Sequence, residues 1–85
     1  MISAPTIHSN GTSRDELLRN LTDAIAALQT AIQEVGRTCP HGRDYYPQGE
    51  DAIREALARH DRRMRDLRAI QRELNEIAEA TVGEA

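Results

Sequence analysis

Apolar residues recur at alternating four- and three-residue spacing through the first half of the chain: Leu17, Leu21, Ala24, Leu28, Ala31 and Val35. Leu18, Ile25 and Ile32 widen that stripe on one side. An α-helix brings such positions onto one face, so the spacing predicts an amphipathic helix with a heptad-like seam. Ser13-Arg14-Asp15-Glu16 is a capping box. The Ser13 side chain can accept from the N3 amide, Glu16 can reach back to the cap amide, and Asp15 complements the helix dipole. Gly36 suits the C′ position and Pro40 follows, so helix 1 is expected over 13–36.

A second helical period runs through Ile53, Ala56, Leu57, Met64, Leu67, Ile70, Leu74 and Ile77. Glu50 and Asp51 supply acidic residues to its first turn. No proline or glycine interrupts it, and helix 2 is expected over 50–80 with a frayed tail at 81–85. His60 falls on the apolar stripe, where Leu or Ile would be ordinary. It reads either as a buried histidine satisfied by a hydrogen bond or as a ligand or proton-sensing group. Gln71 also lies near the seam, where a polar residue sets register more often than it serves function.

These elements predict one all-α domain: an antiparallel helical hairpin with a long structured loop at 37–49 and an N-terminal arm at 1–12. Two amphipathic helices cannot cover both apolar stripes. The chain has 85 residues, no Phe and no Trp, and its many alanines contribute little buried area, so a lone chain would be marginal. A homodimer or higher even oligomer, built as a helical bundle, is therefore expected.

Charge narrows the partners. The formal balance is -3 and all eleven basic residues are arginine, which argues against general DNA or RNA binding by phosphate neutralisation. From Arg54 to Arg72, however, seven arginines stand against Glu55, Asp61 and Asp66, a local charge of +4. That run reads as a solvated face with pairs such as Asp61–Arg65 and Arg62–Asp66, or as a patch for a phosphate-bearing ligand. One cysteine, Cys39, excludes an internal disulfide. No stretch approaches the ~18 apolar residues of a membrane span, no secretory pattern opens the chain, and a cytoplasmic location is expected.

The connection "CPHGRDYYPQGED" holds the only aromatic residues, Tyr45 and Tyr46, with two prolines and two glycines. A connection this long is usually functional or disordered, and its glycines and prolines suit a shaped backbone. The tyrosines could plug the end of a bundle while Arg43 and Asp44 pair locally. As a ligand loop, Arg43 would supply a fork for phosphate or carboxylate. Tyr45 or Tyr46 would then offer a stacking face, and Asp44 and Gln48 hydrogen bonds to polar edges. The arm "IHSNGTS" precedes helix 1 with His8, Asn10, Gly11 and Thr12. Free amides and the dipole at a helix start favour anions, and Gly11 permits close approach. Equally, Asn10 or Thr12 could simply assist the Ser13 cap.

The His8-x-Asn10-Gly11-Thr12-Ser13 arm and the Gly42-Arg43-Asp44-Tyr45-Tyr46-Pro47-Gln48-Gly49 loop, between two Ala/Leu/Arg-rich helices, resemble a group of short uncharacterised proteins encoded by bacteriophages and prophages. The resemblance covers nearly the whole chain. It implies a bacterial host cell and a phage setting, where small helical oligomers serve as defence inhibitors or assembly factors.

Catalysis finds little footing. Cys39 and His41 form one tight pair, with His8 and His60 elsewhere, whereas structural zinc uses two pairs. No Ser or Cys has a nearby base in a recognisable pattern, and the glycines form no phosphate-loop or dinucleotide fingerprint. No catalytic residue, metal or cofactor is expected. Two readings follow. The first is a sequestering binder, or sponge, of a nucleotide-like immune signal that counters anti-phage defence, through His8, Asn10, Gly11, Thr12, Arg43, Asp44, Tyr45, Tyr46 and Gln48. The second is a structural or protein-interaction module without a small ligand. Helix 1 is ~33 Å long, so arm and loop of one chain lie at opposite ends and would meet only between antiparallel neighbours.

Overall fold

The Ser13 hydroxyl accepts a hydrogen bond from the Glu16 backbone N–H at 3.2 Å, and the first helix begins behind it. A computed structural model of the chain describes residues 3–8 and 11–83. Among the described residues the protein is all-α: α1 (Arg14–Gly36), a one-turn α2 (Gly42–Tyr45), a 3-10 turn (Tyr46–Gln48) and α3 (Glu50–Val82), with no strand. The bond to Ser13 is the half of the capping box that forms.

Apolar area, more than spacing, sets how α1 is rolled. Ile32 is its buried residue, Leu17, Leu18, Leu21, Ile25, Leu28, Ala31 and Val35 are half-buried, and Ala24 is exposed. The buried face therefore takes in both the expected seam and its flank and is deepest at Ile32, on the flank. Ala24 offers too little area to hold the centre against the larger side chains.

Against this face lies α3. Gln71 Nε2 donates to the Ile25 carbonyl at 3.4 Å and to Gln29 Oε1 at 3.0 Å, tying one helix to the other at a fixed register. At the far end of α1, Met64 Cε lies 3.8 Å from where a Gly36 Cβ would stand. Among the described residues Ile32, His60, Met64 and Thr81 are buried, and Ile70 on α3 is 47% exposed. The described residues form an elongated body of 61 × 23 × 18 Å.

Three local expectations are corrected. The helix does not stop before Thr81: α3 continues to Val82, and Thr81 is fully buried with its hydroxyl donating to the Ile77 carbonyl at 2.8 Å, while Glu84 and Ala85 of the expected tail lie outside the described residues. No helix breaker precedes Gly83, so nothing ends the ladder earlier. Gly36 is not a left-handed cap. It closes α1, and Arg37 caps it in right-handed geometry, its N–H meeting the Gln33 and Glu34 carbonyls. Among the described residues only Gly49 has positive φ, +92°. Gly42 has ordinary helical backbone, so Gly49 alone requires glycine's freedom, to turn the chain into α3.

Candidate functional site

The connection between the long helices carries its own secondary structure. His41 starts it: its Nδ1 accepts from the Arg43 N–H at 3.1 Å, and its carbonyl accepts from the Asp44 N–H at 3.0 Å. That double contact forms α2. Pro47 then sits within the 3-10 turn, and the Gly49 N–H bonds the Tyr46 carbonyl at 3.4 Å. Residues 41–49 are thereby a folded cap over the start of α3.

The fold gives the two tyrosines different surroundings. Tyr46 is 86% exposed and plugs nothing. Tyr45 is half-buried and lines an open cleft of about 430 Å³ with Gln48, Thr38, Arg59 and Arg63. The volume lies within the range of small-molecule sites. Arg59 is held by Glu55 at 2.5 Å, whereas Arg63 forms no ion pair among the described residues. The cleft thus unites a ring face, a carboxamide, a guanidinium paired with the lining Glu55 carboxylate and the guanidinium of Arg63, a donor set for an anion joined to a planar group.

Arg43 and Asp44 are exposed and stand outside that lining. They do not pair with one another. Of the loop residues expected to contact ligand, the fold brings Tyr45 and Gln48 together and leaves Arg43, Asp44 and Tyr46 on the surface. Tyr46 borders a shallower depression with Gly42, Pro47 and Ile53.

In the arm, the Gly11 N–H donates to the His8 carbonyl at 3.1 Å, and a Gly11 Cβ would stand 2.7 Å from His8 Nε2. The imidazole therefore lies on the bare Gly11 backbone, so His8 and Gly11 form one local unit. Both are exposed, as is Thr12. Asn10 lies outside the described residues. The 23 residues of α1 place ~34 Å between the helix start beside Thr12 and the loop end.

The arginine run, which the sequence offers as a whole either for a solvated face or for a phosphate-bearing ligand, supplies two individual residues to the cleft. Its expected pairs, Asp61–Arg65 and Arg62–Asp66, do not form; the described ion pairs are Glu34–Arg37, Glu50–Arg54, Asp51–Arg54 and Glu55–Arg59. Arg59 and Arg63, four apart, were available to sequence reasoning as one helix face. Nothing local announced that the loop folds onto that face. His60 is 5% exposed and its Nδ1 has no hydrogen-bond partner among the described residues, so none of them supplies the satisfying bond expected of a core histidine. No group of three His, Cys, Asp or Glu among the described residues could hold a metal. No described helix is long and apolar enough to cross a membrane. No family model, curated protein or solved structure matches the chain.

Proposed function

We propose that this protein is a small-ligand-binding, sequestering protein for an anionic, nucleotide-like molecule. The observation that carries the reading is the cleft where Tyr45 and Gln48 meet Arg59 and Arg63. A base or similar ring would lie against Tyr45, its polar edge would face Gln48, and phosphate would take Arg63 and Arg59. The role of a sponge for a nucleotide-derived immune signal in a phage-infected cell rests on the likeness of the arm and loop motifs.

The working unit in this reading is an antiparallel helical hairpin assembled with a second copy. Partner numbers rise on α1 as they fall on α3, from Ile25 and Gln29 with Gln71 to Gly36 with Met64, the pairing a hairpin requires. Exposed Ile70, with Ile77 on the same flank, leaves apolar surface for that copy. Stepping ~100° per residue puts those two isoleucines on the flank of α3 that carries Arg59 and Arg63. A second antiparallel hairpin laid there would bring its Gly11–Thr12 arm towards this chain's loop cleft and make two equivalent sites.

Thermal melts against mono-, di- and cyclic nucleotides test the binding. A tight ligand at a hundredfold its dissociation constant adds ~2.7 kcal/mol, and Arg63→Ala should remove that gain with more force than Arg43→Ala. A flat panel at saturating concentrations defeats the binder and favours an interaction module. That second reading draws on the exposed Tyr46 and on Arg62, Arg65, Arg68 and Arg72, which form no described ion pair and would suit an acidic protein. Light scattering tests assembly separately; a folded monomer at micromolar concentration removes the shared site.

A further inference from the structure

On the opposite flank of α3 lies a second cleft, of about 680 Å³, against the C-terminal end of α1. Gly36 and Cys39 form one wall; His60, Asp61, Arg65 and Arg68 form the other. Counting ~100° per residue from His60, Asp61, Arg65 and Arg68 all fall on one side, whereas Arg59 and Arg63 fall on the other. The buried His60–Met64 ridge separates the two clefts. They are different sites.

We propose that this second cleft binds a phosphoryl group, with the His60 imidazole at its floor and the Arg65 and Arg68 guanidinium groups at its rim. Two observations converge on an anion. First, His60 is buried, lines the cleft and has an Nδ1 without a partner among the described residues. A buried polar atom left without a bond is costly; Nδ1 is sealed from solvent as the ring stands, so a ligand oxygen in the cleft would meet it once the imidazole turns. Second, neither Arg65 nor Arg68 is neutralised by a described carboxylate, although Asp61 stands one helical turn before Arg65. At the α1 wall the cleft meets Gly36, which has no side chain, and Cys39.

Phosphate suits this set better than a carboxylate. Its several oxygens can accept from His60 and from both guanidinium forks at once, whereas a carboxylate offers two. The cleft exceeds the volume of a bare phosphate, so a phosphate monoester of a small hydroxylated molecule fits the space. Asp61 is the acceptor on the rim and would take a hydroxyl of the ester. Cys39 is exposed beside it and has no part in the proposal. The site does not depend on the loop cleft: no residue lines both.

Titration of the full chain with inorganic phosphate, glycerol phosphate and acetate, followed through the His60 imidazole nitrogens and the arginine Nε groups by NMR, tests the site. Saturable binding of either phosphoryl probe, with the His60 nitrogens moving on the same isotherm, is the expected result. Tighter binding of glycerol phosphate identifies an ester as the ligand class; equal or tighter binding of phosphate identifies the free ion. Arg65→Gln and Arg68→Gln should each weaken binding at least about tenfold, the loss expected for one charge-assisted contact. Both side chains are exposed, so the fold should survive. Arg62→Gln, which changes charge equally on the far face of α3, should leave binding unchanged. His60→Asn, which keeps a polar atom near the Nδ1 position, should bind better than His60→Leu. The proposal is overturned if neither phosphoryl probe saturates, if acetate binds as well, if the His60 nitrogens stay still at saturation, or if Arg62→Gln costs as much as Arg65→Gln.

Discussion

The two flanks of α3 carry the same residue type in different settings. On one, Arg59 and Arg63 face a folded loop that contributes Tyr45 and Gln48. On the other, Arg65 and Arg68 face the end of α1, where Gly36 and Cys39 contribute little side chain, and share their cleft with buried His60. Arg62 points to neither. One run of arginines thus has three fates, separated by 100° steps around a single helix. A basic run in a sequence is a charge; its chemistry depends on what each guanidinium faces.

Both clefts depend on the packing of α1 against α3, and the most severe break is in that shared core. Ile32→Ala should lower stability by ~3 kcal/mol, as for other large-to-small changes in a buried site. It should weaken nucleotide and phosphate binding together; denaturant melts at fixed protein concentration read the stability loss. His60→Leu separates the flanks. Replacing a partnerless buried imidazole with an apolar side chain should raise stability by about 2 kcal/mol while reducing phosphate binding and sparing the nucleotide response. A fall in stability, seen in the same melts, would show that Nδ1 is satisfied in solution.

Gly49→Ala acts on the loop side alone. Placing an L side chain at φ +92° should cost ~1–2 kcal/mol and impair the nucleotide response without changing the phosphate isotherm measured by NMR. Gly36→Ala is milder and has the opposite sign. The new Cβ would make ordinary contact with Met64 Cε at 3.8 Å, and Ala is the better helix former, so stability should rise by up to ~1 kcal/mol in thermal melts. Tyr46→Ala should move stability by less than ~0.5 kcal/mol, because the ring is exposed and touches no core. A larger loss would mean that an assembled partner covers it.

What the sequence by itself determined was local. Ser13 capped α1, the apolar period built both long helices, Glu50 opened α3, and the 39–51 connection stood out for its aromatic, proline and glycine residues. Each rests on interactions within a few residues, which local chemistry contains. The deepest burial of α1 at Ile32, the burial of Thr81, the exposure of Tyr46 against the half-burial of Tyr45, and the division of the arginines between two clefts were decided only by tertiary structure. Each depends on how two helices share their apolar area and where the loop folds back. His60 shows the boundary most clearly. Its place on the apolar stripe was legible, but whether a partner waited for its nitrogen depended on groups brought up from elsewhere in the chain, and none of the described ones reaches Nδ1.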